Sequence, residues 1–191
     1  MAASVVQICN RALQRLGAAR IVALDENSPN ARHCNVAYEP LRDRLLRMHP
    51  WVFAIKRFNL AADSVDPVYG GKKLYTVPED FIRLASVDPE DDHVLRDWQL
   101  EGRKILTMDD APLYGRYVSR VVDPNEMDPL FREALSCLMA HDLCELITQS
   151  SSKKAEIKDD MKDLIAEARK ANAIERRPFA SADAENIFRR L

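Results

Sequence analysis

Between Ser4 and Leu16 the apolar residues Val5, Ile8, Cys9, Ala12, Leu13 and Leu16 recur at threes and fours, the spacing of a single stripe along an α-helix. Ser4 offers a capping hydroxyl before the stripe, and Gly17 supplies the residue that stops it. Ser28-Pro29 opens a second helix with a cap followed by proline in the first turn. Its apolar positions are Ala31, Cys34, Tyr38, Leu41, Leu45 and Met48, and Pro40 falls among them. A proline inside a helix has no amide hydrogen to donate and crowds the carbonyl four residues back, so a kink or short break is expected near Tyr38.

At Pro50 the period itself changes, within the stretch Leu41 to Ile55. Trp51 to Leu60 reads as a first strand, and Asp63 to Lys73 as an exposed loop. Short β-rich runs follow at Leu74–Val77, Phe81–Val87, Val94–Leu100, Lys104–Met108 and Leu113–Val122, divided by turn signals, which is the pattern of a small antiparallel sandwich or barrel. Asp128-Pro129 then repeats the cap-and-proline start. It precedes a wide apolar face of Leu130, Phe131, Ala134, Leu135, Leu138, Met139, Leu143, Leu146 and Ile147, the face of a deeply buried helix. After Ser150-Ser151-Ser152 a fourth helix runs to about Ile174, and from Glu175 the periodicity fades into an extended tail.

Neither helix pair hides its stripes alone, so the two pairs are expected to meet, with the β region inserted between them. The fold class is α+β: a four-helix bundle (residues 1–50 and 128–174) carrying a small antiparallel β domain (51–127) and a C-terminal tail (175–191). Pro50, Trp51 and Phe53 are the expected domain hinge, with the two aromatic rings packed at the junction.

Composition narrows the class without naming a function. Of 191 residues, 47% are hydrophobic and 30% charged, as in folded proteins with little disorder. The 28 basic residues against 30 acidic ones give no global basic field, leaving only the option of a local patch for nucleic acid. No run of about 18 apolar residues is present and the N-terminus lacks the pattern of a signal peptide, so no membrane partner is expected. The four cysteines, Cys9, Cys34, Cys137 and Cys144, sit at apolar helical positions and read as reduced, buried thiols.

The common phosphate-loop, dinucleotide, zinc-protease and serine-hydrolase signatures are absent. Gly70-Gly71-Lys72-Lys73 has phosphate-loop residue types without the spacing or the following helix. Cys137, His141 and Cys144 share one helical face, which would suit zinc, but a fourth ligand would have to come from Cys9 or Cys34, and buried core thiols are the simpler reading. Asp91-Asp92-His93 and Asp109-Asp110 have the chemistry of hard-cation ligands or acid–base pairs, yet they lie beside turn signals and read as solvated loops. Trp98, Tyr114 and Tyr117 are either a base-stacking platform or sheet core, with core favoured by their alternation. No cofactor and no catalytic residue is expected, and the chain is read as a non-enzyme.

The fourth helix carries the most informative surface. At about 100° per residue, Ile157, Met161, Leu164, Ile165, Ala168 and Ala171 share one face; Lys154, Lys158, Lys162 and Arg169 form a second; Glu156, Asp159, Asp160, Asp163 and Glu167 form a third. Like charges at i, i+4 repel, so segregated stripes either are a solvated face or serve a head-to-tail contact between subunits, basic stripe against acidic stripe. The interface residues on that second reading are Lys154, Lys158, Lys162, Asp159, Asp163 and Glu167.

Several phrases occur in a telling order: Tyr38 with Leu41-Arg-Asp-Arg-Leu-Leu-Arg-Met-His-Pro-Trp-Val-Phe-Ala, then Tyr75-Thr-Val-Pro-Glu-Asp-Phe-Ile-Arg-Leu, then Glu101-Gly-Arg-Lys-Ile-Leu, then Asp128-Pro-Leu-Phe-Arg-Glu-Ala-Leu. Together, over roughly Ser4 to Ala173, they resemble the tail tubular protein A family, the head-to-tail adaptors of short-tailed bacteriophages. The resemblance implies a homo-oligomer, a dodecameric ring below the portal protein that prolongs the DNA channel and offers a platform to the tail nozzle. It implies a virion location, with the host cytoplasm before assembly, and DNA that passes without sequence specificity. The C-terminal segment would reach the portal, with Phe179 and Phe188 as apolar anchors and Arg177, Arg189 and Arg190 as charged contacts. The alternative class is a cytoplasmic helical regulator or nucleic-acid-binding module that uses the lysine stripe.

Overall fold

The computed structural model describes residues 3–70, 72–86 and 98–175. The described residues form four α-helices and two three-stranded antiparallel sheets, in the order α1 (Val5–Leu16), α2 (Pro29–Met48), β1 (Ile55–Leu60), β2 (Lys73–Thr76), β3 (Phe81–Ser86), β4 (Trp98–Glu101), β5 (Lys104–Thr107), β6 (Leu113–Ser119), α3 (Pro129–Thr148) and α4 (Ser151–Glu175). The chain divides into two compact units, one of residues up to Ala54 with Arg120–Glu175, the other of Ile55–Ser119. The divisions fall after Ala54 and before Arg120, not after Pro50 and before Asp128.

Local chemistry sets the helix ends. The Ser4 hydroxyl accepts the Gln7 amide hydrogen while the Gln7 side chain accepts from the Ser4 amide, a reciprocal cap on α1. Gly17 closes the helix in the left-handed region at φ 72°, and the Lys153 ammonium donates to the Leu16 carbonyl at 2.9 Å. The Ser28 hydroxyl accepts the Ala31 amide hydrogen and the Asp128 carboxylate those of Leu130 and Phe131, one-way caps on α2 and α3, each followed by proline.

Three helical expectations need correction. The second helix runs unbroken from Pro29 to Met48 through Pro40. The bond that Pro40 does not donate would have gone to Val36, and both residues lie on the solvent side, where water can take the carbonyl. Met48 is exposed, while Ala37, Arg42 and Leu46 are buried beside the expected seam, so α2 packs on two sides. Leu146 is also exposed.

The centre of the helical unit is α3, which packs against each of the other three helices. Every residue from Ala134 to Ala140 is buried, so the apolar surface goes all the way round rather than forming a stripe. Trp51 and Phe53 add to this core: the Trp51 ring meets Phe131 edge-on at 5.1 Å and the Phe53 ring meets it at 5.0 Å.

Trp51 is not part of a strand. Val52–Ala54 form a 3₁₀ turn, closed by the Ala54 amide donating to the Trp51 carbonyl, and β1 begins at Ile55. The buried residues Trp51 and Ala54 are three apart, a turn spacing that a run of aromatic and β-branched residues conceals.

In the β unit the strand orders are β1-β6-β3 and β2-β5-β4. Phe58, Tyr75, Val77, Phe81, Ile105, Leu113 and Tyr117 form one core drawn from both sheets, so the sheets face each other as a sandwich. Phe58 lies opposite Gly115, and a Cβ at Gly115 would stand 2.5 Å from the Phe58 ring; the missing side chain is what admits the ring. The last strand stops at Ser119, short of the expected Val122, and the fourth is described only from Trp98, since residues 94–97 of the expected run lie outside the described residues.

Candidate functional site

The corner where α2 ends is held by one side chain. Asn172, buried on α4, accepts the Val52 amide hydrogen through Oδ1 at 2.7 Å, and its Nδ2 lies 2.9 Å from His49 Nε2 and donates to the Pro50 carbonyl at 3.3 Å. Because the oxygen is committed to Val52, the Nδ2 end faces His49, whose Nε2 then accepts. Trp51 is 1% exposed, and its indole nitrogen donates to the Leu45 carbonyl at 2.9 Å. Pro50, Trp51 and Phe53, the expected hinge residues, thus all lie in the helical unit.

Two charged clusters flank this core. Glu133 on α3 takes a bidentate contact from Arg11 at 3.0 Å and a second guanidinium from Arg15, both on α1. Burial alone would raise the Glu133 carboxyl, but the hydrogen bonds and charges of Arg11 and Arg15 outweigh it and hold the group below the ordinary glutamate value. A cleft of about 240 Å³ opens beside this cluster, lined by Ser4, Gln7, Arg11, Arg132, Glu133 and Ser136 among others, and its charges are of both signs. Asp43 on α2 accepts from the buried Arg42 of the same helix at 2.9 Å and from the exposed Arg120 at 2.8 Å, ordinary lengths for charge-assisted hydrogen bonds.

On α4 the two stripes are partly joined to their own surroundings. Lys162 pairs with Asp159 at 2.8 Å within the helix, Lys154 pairs with Glu145 at 2.8 Å, and Asp160 lies 3.7 Å from Arg15. Lys158, Asp163 and Glu167 are exposed and form no ion pair among the described residues. The expected interface set therefore divides: Lys154, Lys162 and Asp159 have intrachain partners, and Lys158, Asp163 and Glu167 point to solvent.

The remaining candidates fall into place individually. Cys137 and Cys144 are buried, with Sγ atoms directed at the Ile157 carbonyl and the Thr148 hydroxyl, and no cluster of His, Cys, Asp or Glu among the described residues has a metal-holding arrangement. His141, half-buried, is biased toward its neutral form by burial and then by Lys154. Tyr117 belongs to the sandwich core and donates to Asp80 at 2.9 Å, whereas Trp98 and Tyr114 are exposed, so the three aromatics do not act as one group. Asp110 pairs with Lys72, and Asp109 accepts from Thr107. Asp91-Asp92-His93, Gly71 and the tail residues Arg177, Phe179, Phe188, Arg189 and Arg190 lie outside the described residues.

Asn172 and Glu133 were missed by sequence reasoning. Asn172 left a signal, a polar residue four positions after Ala168 on the apolar face of α4. Glu133 left none, because its partners are remote in the chain. No helix among the described residues is long and apolar enough to cross a membrane. No protein-family model matches the chain, and no curated protein matches it.

Proposed function

We propose that the chain is a structural head-to-tail adaptor of a bacteriophage virion, which assembles as a ring that joins the portal protein to the tail and prolongs the DNA channel. The observation that supports this most is the agreement between a helical unit interrupted by a β sandwich and the ordered set of phrases that resemble the tail tubular protein A family. Each phrase occupies a joint of the fold: the Trp51 corner, the turn between β2 and β3, the β4–β5 hairpin and the capped start of α3.

On this reading the protein works by geometry, without catalysis or cofactor. The exposed Lys158, Asp163 and Glu167 of α4 contact the neighbouring subunit in the ring, and residues 177–191 engage the portal. Negative-stain electron microscopy of the full chain mixed with its portal protein tests it: a ring seated on the narrow end of the portal is the expected image, and portal particles with no added density would overturn the reading.

A further inference from the structure

Strand pairing gathers three segments at one end of the β unit. Lys73 of β2 and Trp98 of β4 both lie opposite Thr107, one on each side of β5. The connection from β1 to β2, residues 61–72, returns here, where the Lys72 amide donates to the Thr107 carbonyl at 3.1 Å. The connection from β5 to β6, residues 108–112, starts here. Lys72 pairs with Asp110 at 2.6 Å, which ties the two connections to each other, and Lys73 pairs with Asp66 at 2.9 Å, which folds the first of them back on β2. The Tyr75 hydroxyl donates to the Asp109 carbonyl at 3.0 Å and fixes the second.

Held in this way, the connections still leave their apolar side chains in water. Val68 is 97% exposed and Tyr69 87%, and Val65, Met108 and Trp98 are exposed with them. A Cβ at Gly70 would meet nothing within 4 Å, so the chain beside Tyr69 stands clear of the sandwich. The turns at the other end of the sheets, joined by the Arg103 guanidinium donating to the Pro78 carbonyl, carry Glu79, Asp80 and Arg103 instead. Large apolar side chains held in solvent at one end and rimmed by ion pairs mark an interaction surface, and Tyr, Trp and Met are types that interfaces favour.

Charge and size say what covers it. Lys72 and Lys73 are each neutralised by an aspartate, and Asp63 by Lys104, so these lysines leave no spare cation to draw a phosphate. The ion pairs are themselves exposed, with Asp66 68% and Asp110 72% in solvent. They make the surface self-complementary: the lysine of one copy set beside the aspartate of another keeps every charge paired. With the exposed Ala111 and Pro112, the apolar side chains offer on the order of 800 Å², the share that one partner gives to a standard-size interface.

We propose that this end of the sandwich is a two-fold contact with a second copy of the chain, in which Val68 and Tyr69 of each copy pack on Trp98 and Met108 of the other. The contact goes beyond the adaptor reading and does not rest on it, since a ring is closed by head-to-tail contacts and this one is isologous.

Sedimentation velocity of the full chain without portal, from about 1 to 100 µM, tests it. A monomer–dimer equilibrium is expected. Val68→Asp/Tyr69→Asp should weaken the dimer at least about a hundredfold and keep the parent's circular dichroism spectrum, since both side chains lie in solvent in the single chain. Val36→Asp, which changes an exposed apolar residue on α2, should dimerise as the parent does. A parent that sediments as a monomer throughout, a Val68→Asp/Tyr69→Asp variant that dimerises as tightly, or an equal loss in Val36→Asp would overturn the contact. Rings seated on the portal by a chain that is monomeric alone would sink this inference and leave the adaptor reading standing; a dimer that never joins the portal would do the reverse.

Discussion

Asn172 accepts the amide hydrogen of Val52 across 120 residues of sequence, at 2.7 Å, and in doing so fixes the corner at which the chain leaves α2. The same side chain faces His49 and Pro50, so three groups of one turn depend on one amide of α4. Removing it leaves the half-buried Val52 N–H without its acceptor. Asn172→Ala should destabilise the helical unit by about 1–3 kcal/mol, and Asn172→Leu by a similar amount despite its larger apolar area. Urea denaturation followed by far-UV circular dichroism measures this; a change below about 0.5 kcal/mol would show that the clamp is dispensable.

Trp51 fills the space between α2 and α3. Trp51→Ala removes its contacts with Phe131 and Phe53 and leaves the Leu45 carbonyl without the indole donor, and the expected cost is about 3–5 kcal/mol. Trp51→Phe keeps the edge-on packing and should lose much less. The comparison of the two by thermal melting separates ring packing from the hydrogen bond.

Gly115 makes a prediction in the β unit. Gly115→Ala drives a methyl into the Phe58 ring and should cost about 1–3 kcal/mol. The double variant Phe58→Leu/Gly115→Ala should cost less than the sum of the two single changes, because the smaller side chain yields the space. Strict additivity in denaturant melts would contradict the close approach.

Tyr38 is buried, and its hydroxyl makes no hydrogen bond among the described residues; burial pushes its pKa up to about 12. Tyr38→Phe deletes that oxygen and should leave the protein as stable or more so by about 1 kcal/mol, measured by chemical denaturation.

The Glu133 cluster sets the acid limb of stability. Its carboxyl is held below the ordinary glutamate value in the folded chain, so the unfolded chain binds the proton first as pH falls. The stabilisation is complete above the ordinary value near 4.5 and is lost as pH drops through the lower folded value. Glu133→Gln should cost about 1 kcal/mol near neutrality, given partial solvent screening, and flatten the stability profile below pH 4.5. A profile parallel to the parent's would contradict the ion-pair account.

Patterns that arise within a few residues were legible in the sequence: the Ser4, Ser28 and Asp128 caps, the Gly17 stop, the burial of α3 and the strands after Lys73. What escaped depends on distant neighbours or on solvent. Pro40 leaves α2 intact because the bond it lacks falls on the wet side. Trp51 belongs to a turn because Phe131, far along the chain, receives its ring. The charge stripes of α4 separate by rotation angle, yet Asp159 and Lys162 still reach each other, since residues three apart are neighbours on a helix.

The measurement that bears most directly on the adaptor account is native mass spectrometry of the full chain, alone and with its portal protein. The account predicts a closed multimer bound to portal, dodecameric as the family resemblance implies, and weakened when Lys158 is reversed to Glu. A chain that stays monomeric and unbound in the presence of portal would contradict it.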